Sequence, residues 1–182
     1  MATPYYTKDL TSMSRMKMNV DAREYADAVV FVENVCDHNP QWSYTTTPTG
    51  SAWDITMTNT NGTKLPVELK ARDIEYESTN GEIFIEKTKV QSLARLFNVF
   101  VITQMFIPSN IAVSFLIRSD EVEGLETRTV MARKNNITEE KIPKVFYVLK
   151  AEKGRVKECD LSKYWKYYSY FSGFSTTLQS CQ

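Results

Sequence analysis

Apolar and polar positions alternate along the chain in two different periods, and the changes of period mark out the elements. Over residues 21 to 36, Ala22, Tyr25, Ala26, Val29, Val30 and Val35 recur near helical spacing. Asn19 or Asp21 can cap such a helix, and Asn39-Pro40 stops it, because the residue before proline is pushed out of the helical region. Trp42 to Thr47 is aromatic and β-branched and predicts a strand, ended by Pro48, Thr49, Gly50 and Ser51. Ala52 to Thr58 then alternates, with Trp53, Ile55 and Met57 on one face and Asp54 and Thr56 on the other. Asn59 to Thr63 predicts a hairpin loop.

Leu65 to Ala71 alternates again: Leu65, Val67, Leu69 and Ala71 share one face, Glu68 and Lys70 the other. Pro66 fits only at the beginning of that strand or at a bulge. Residues 73 to 81 are polar and read as a loop. A second helix is predicted over Lys87 to Phe97, where Val90, Leu93, Ala94 and Phe97 form a buried stripe and Lys87, Gln91 and Arg95 a polar one. Asn98 to Phe106 and Ile111 to Arg118 read as buried strands, and Thr127 to Lys134 as a further strand. Lys144 to Ala151 and Arg155 to Cys159 suggest a hairpin around Glu152-Lys153-Gly154. Residues 1 to 19 read as an N-terminal arm, and 20 to 182 as a single domain.

Composition narrows the class. The 182 residues, 42% hydrophobic and 12% aromatic, suit one globular domain, and six Gly and six Pro exclude a collagenous or low-complexity chain. No apolar run approaches the roughly 20 residues needed to cross a bilayer, and no basic segment leads into an apolar core at the N-terminus. A soluble, cytoplasmic protein is expected (host cytoplasm, were the chain phage-encoded). Cys36, Cys159 and Cys181 are too scattered for a zinc site with the single His38, which falls at the expected helix exit. Net charge is zero, yet residues 128 to 166 hold eleven basic against five acidic residues, while residues 1 to 97 hold ten against thirteen. That asymmetry suits phosphate contacts beside an acidic centre, and equally suits ordinary solvated faces.

Asp54, Glu68 and Lys70 are the residues with chemistry in them. A two-residue Asn61-Gly62 turn places Asp54 opposite Leu69, on the wrong side; an odd loop over Asn59 to Thr63, or a bulge, places it opposite Glu68. Two carboxylates that close repel unless a cation shares them, and hard oxygen ligands suit magnesium or manganese. A lysine beside them can orient or deprotonate water and offset charge on a phosphate. A solvent-facing Glu-x-Lys pair on a half-exposed strand is the bland alternative.

Asp54 followed fourteen residues later by Glu68-Leu69-Lys70 resembles the signature of the PD-(D/E)xK nuclease superfamily. Arg23-Glu24 on the first helix, Gly50-Ser51 ahead of Asp54, and the run from Ile83 through Glu86-Lys87 to Gln91-Ser92-Leu93 are similar to archaeal-type Holliday junction resolvases. Trp53 stands where the motif has proline. The resemblance covers about residues 20 to 118, leaving 119 to 182 as a C-terminal extension. It implies an α/β, restriction-endonuclease-like αβββαβ core with a central mixed sheet flanked by helices. It also implies Asp54, Glu68 and the Leu69 carbonyl as ligands of Mg²⁺ or Mn²⁺, Lys70 as the water-activating or charge-stabilising residue, and Glu24 as an additional acid near the metal. Ser51 would be a phosphate or substrate contact, and Lys87 or Gln91 would reach the site from the second helix. The expected activity is hydrolysis of DNA, in the closest likeness branched DNA cut by a homodimer. The alternatives are a nuclease of restriction, repair or RNA specificity, a non-catalytic module that binds DNA or protein, and an accessory protein with no nucleic-acid role. The aromatic tail around Tyr164, Trp165, Tyr167, Tyr168, Tyr170 and Phe171 suits a substrate platform or a dimer contact, and equally a helix packed on the core.

Overall fold

A computed structural model describes residues 15–36, 39–48, 51–134 and 139–167. Helix α1 (Arg15–Val30) runs into a π-helical turn, Phe31–Val35, and three strands follow: β1 (Trp42–Thr46), β2 (Ile55–Asn59) and β3 (Lys64–Arg72). After a short 3₁₀ turn at Tyr76–Thr79 come β4 (Glu82–Glu86), α2 (Lys87–Leu96), β5 (Val99–Phe106) and β6 (Ile111–Arg118). β7 (Thr127–Arg133), β8 (Lys141–Lys150) and β9 (Arg155–Glu158) complete the strands. The protein is α/β, with a six-stranded mixed sheet ordered β1-β2-β3-β5-β6-β9 and a second, three-stranded sheet ordered β4-β8-β7.

β1, β2 and β3 form an antiparallel meander. β5 lies parallel to β3, reached by way of β4 and α2, since a parallel neighbour needs a crossover. Pro66 is tolerated because the β3–β5 pairing begins one residue later, at Val67↔Val101. Strand alternation then sorts two cores. Val67 and Leu69 join α1, Ile55 and Met105 in one, while Ile102 and Phe106 join Val90 and Leu93 of α2 and Ile83, Tyr147 and Leu149 of the second sheet in the other.

Several elements differ from the expectations. α1 starts at Arg15 rather than near residue 21, so the last part of the expected arm is helical. Its end widens: the Cys36 N–H reaches the Phe31 carbonyl at 2.9 Å, which rotates Val35 into the core. The Lys157 ammonium caps this end by donating to the Asn34 and Val35 carbonyls. The segment before Lys87 contains β4, whose Ile83 and Ile85 face inward.

The expected hairpin around Glu152 to Gly154 does not form. β8 pairs with β4 and β7, whereas β9 pairs with β6 in the other sheet. The chain changes sheets through a 3₁₀ turn at Ala151–Lys153, and Gly154 then lies against Phe115, where a Cβ would come within 2.8 Å of the ring. Strand-to-strand adjacency in sequence is overridden by the two separate cores.

Trp53 also departs from its expected side. β2 starts only at Ile55, and Trp53 packs edge-on against Phe97 at 4.9 Å in the second core, opposite to Ile55. No helix among the described residues is long and apolar enough to cross a membrane. His38, Gly50, Cys181, Tyr168, Tyr170, Phe171, the arm up to residue 14 and the side chains of Asn19 and Asp21 lie outside the described residues. Tyr164 is fully buried against α1, and the Tyr167 hydroxyl donates to Glu33 at 2.6 Å, so these two aromatics pack on the core. Trp165 stays exposed, edge-on to Tyr164.

Candidate active site

The β2–β3 register decides whether the acidic residues meet. Thr58 pairs with Lys64 and Ile55 with Val67, so the odd connection Thr60 to Gly62 carries the chain round and sets Asp54 opposite Glu68. Asn59 builds that loop: its side-chain oxygen accepts the N–H groups of Asn61 and Thr63, and Gly62 supplies a φ of 80°.

Asp54 sits just ahead of β2, held by its own N–H to the Val67 carbonyl at 3.0 Å. Its Oδ2 accepts the Leu69 N–H at 2.7 Å, where a strand neighbour's carbonyl would ordinarily lie. β2 pairs with β3 no further than Val67, and from there β3 continues beside β5 alone. The site therefore opens at the carboxyl end of β3, next to its parallel partner, a common position for a ligand crevice in open α/β sheets.

Glu68 and Lys70 project to the α2 side, paired across the ladder with Ile102 and Gln104. Burial lifts the Glu68 carboxyl to about 8; the adjoining Asp54 carboxylate adds to the rise and Lys89 opposes it. Lys89 Nζ lies 3.0 Å from Glu68 Oε2. The approach lacks hydrogen-bond alignment, and that buried oxygen has no hydrogen-bond donor. Lys70 is an exposed residue as a whole, yet burial around its amine pulls its pKa below the ordinary lysine value, with the Arg72 charge acting in the same direction.

A second acid approaches from α1, and it is Asp27. It is 6% exposed, its carboxyl is pushed up to about 7 by burial, and the Tyr164 hydrogen bond works against that rise. Asp54 and Lys70 both act on it electrostatically, and its Oδ1 has no hydrogen-bond partner. Glu24, one helical turn earlier, is half-buried.

Other expected residues fall as follows. Lys87 lies over the Tyr147 ring at 5.8 Å and Gln91 hydrogen-bonds the Tyr147 side chain, so this stripe of α2 meets β8 while Lys89 meets Glu68. Ser51 is half-buried in the loop before Asp54, its N–H bound to the Pro48 carbonyl. Sequence reasoning chose Glu24 over its neighbours Asp21 and Asp27 as the acid on the first helix, and passed over Lys89, Arg72 and Gln104. Arg72 Nε donates to Gln104 Oε1 at 3.1 Å, and both residues donate to the Phe84 carbonyl, fixing a guanidinium two positions beyond Lys70. The Glu68-x-Lys70-x-Arg72 alternation was the signal for it.

Among the described residues, five of the eleven basic residues in the C-terminal stretch pair with acids. Arg128 pairs with Glu82 and Glu126, Lys144 with Glu86, Lys150 with Glu82, Arg133 with Glu139 and Lys134 with Glu140. Among the described residues no group of three or more His, Cys, Asp or Glu is arranged to hold a metal. Comparison of the chain with protein-family models, with curated proteins and with solved structures gives no match.

Proposed function

We propose that the chain is a divalent-metal-dependent nuclease that hydrolyses DNA phosphodiester bonds, with Asp54, Glu68 and Lys70 at its centre. The observation that carries the reading is the convergence of the Asp54 and Glu68 carboxylates at the start of β2, with Lys70 on the same side of β3 as Glu68. The chain order α1-β1-β2-β3-α2-β5, with β4 inserted, supports it as well, being the order the PD-(D/E)xK likeness implies.

The residues fit a hard cation. Two adjoining carboxylates, one with a buried oxygen lacking a hydrogen-bond donor, are stabilised by a positive ion between them. Asp54, Glu68 and the Leu69 carbonyl would hold Mg²⁺ or Mn²⁺, which polarises a phosphate oxygen and acidifies water when bound. Lys70, with its lowered pKa, orients the attacking water and accepts its proton. As the water oxygen bonds to phosphorus, the opposite P–O bond breaks and the leaving alkoxide takes a proton from solvent. Arg72, held by Gln104 and the Phe84 carbonyl, offsets charge on the phosphate oxygens.

Branched DNA and a homodimer are the substrate class and assembly implied by the resolvase likeness. One observation favours a second reading, a nuclease-like module that binds without cutting: the Lys89 ammonium already partly neutralises Glu68. A Mg²⁺-dependent cleavage assay on four-way junctions, duplex, single strands and RNA separates the two. Metal-dependent cutting abolished by Asp54→Ala supports the nuclease; DNA affinity that persists in EDTA, with no cutting under any metal, supports the binding module.

A further inference from the structure

The geometry points to Lys89 as a built-in counter-ion that a divalent cation must displace from Glu68, so that cation loading releases an amine for the substrate backbone; this rests on the nuclease reading above. α2 turns about 100° per residue, so Lys89 stands roughly 200° round from Lys87 and cannot share its contact with Tyr147. Burial of Val90 and Leu93 fixes the helix against the sheet and directs Lys89 at β3. Its ammonium is 3.0 Å from Glu68 Oε2, and the two side chains are 30% and 13% exposed. The carboxylate is thus enclosed, while the lysine keeps a path to solvent along its flexible stem.

The contact is an ion pair without hydrogen-bond alignment, and it occupies a carboxylate oxygen that a cation could take. A divalent ion on that oxygen and an ammonium at its present position would repel each other strongly. One has to leave, and the lysine is the mobile partner. Once displaced, it stands at the edge of the site as a free donor for a non-bridging phosphate oxygen.

The test is Mg²⁺ binding by calorimetry to the full chain in wild type, Lys89→Met and Lys89→Arg. Lys89→Met should bind at least about fivefold more tightly, as expected if the pair is closed about four-fifths of the time, and Lys89→Arg should match wild type. A second arm uses wild type alone: acetylation of Lys89, followed by mass spectrometry, should speed up on adding Mg²⁺ and slow again in EDTA. Equal Mg²⁺ affinity in all three proteins, or an unchanged acetylation rate while Mg²⁺ binds, overturns the inference and leaves the nuclease reading standing. Absence of Mg²⁺ binding in every variant overturns both.

Discussion

Asp54 and Leu69 are joined by a 2.7 Å hydrogen bond in which the Asp54 carboxylate accepts the Leu69 N–H. One oxygen of the acid is thereby fixed to the backbone between Glu68 and Lys70, and the whole carboxylate is oriented before any ligand arrives. Structural and chemical roles can be separated here. Asp54→Asn keeps an acceptor for Leu69 and should fold with near-wild-type stability while losing metal-dependent cleavage by at least about 100-fold. Asp54→Ala should lose cleavage equally and also cost about 1–3 kcal/mol, because the N–H of a buried residue is left without a partner. Urea unfolding alongside the nuclease assay checks both.

Glu68 makes stability depend on pH in a stated direction. Its folded value, about 8, lies above that of an ordinary glutamate, so the folded chain holds this proton more tightly than the unfolded one. The associated stability is full below about pH 4.5 and is lost as pH rises through 8, an effect of a few kcal/mol. In EDTA the stability of wild type relative to Glu68→Gln should therefore fall between about pH 5 and 8.5. Mg²⁺ should recover stability at the upper end in wild type and have little effect on the variant.

Asp27 should outweigh Glu24 as the acid contributed by α1. Asp27 is buried, interacts with Asp54 and Lys70, and accepts a hydrogen bond from Tyr164, whereas Glu24 is half-buried one turn away. Asp27→Asn should reduce cleavage about 10–100-fold with the fold retained, and Glu24→Gln should reduce it less. Steady-state rates for the two variants, with circular dichroism as the control, decide between them.

Gly154 tests the change of sheets between β8 and β9. A methyl there would meet Phe115 Cε1 at 2.8 Å and the Ser114 carbonyl at 3.0 Å. Gly154→Ala should destabilise the chain by about 1–3 kcal/mol, read as a lowered urea midpoint with an unchanged slope. A neutral result would mean that β9 does not sit against β6 in this way.

Much of the central sheet is legible along the chain because β1 to β3 are short segments bounded by turn residues, while β5 and β6 are continuous apolar runs. Asn59 and Gly62 mark an odd loop, and the loop sets the Asp54–Glu68 register. The rest depends on tertiary context. β4 runs without a break into α2, so its period is masked, and its partner β8 lies about sixty residues away. Lys87 and Lys89 are both basic and both on α2; only the packing of Val90 and Leu93 selects which one faces Glu68. Trp53 breaks alternation because Asp54 leaves the strand to bind Leu69. Asp27 reads as one of several acids on a helix, and burial against Tyr164 is what distinguishes it.

The most direct test of the central claim is cleavage of a panel of branched, duplex and single-stranded DNA in Mg²⁺, comparing wild type with Lys70→Ala. Lys70 is exposed, so its loss should leave the fold intact while removing the group that handles the water's proton. The account predicts Mg²⁺-dependent cutting by wild type, abolished in EDTA and reduced at least about 100-fold in Lys70→Ala. Equal cutting by the two proteins, or no cutting of any substrate by wild type, would contradict it.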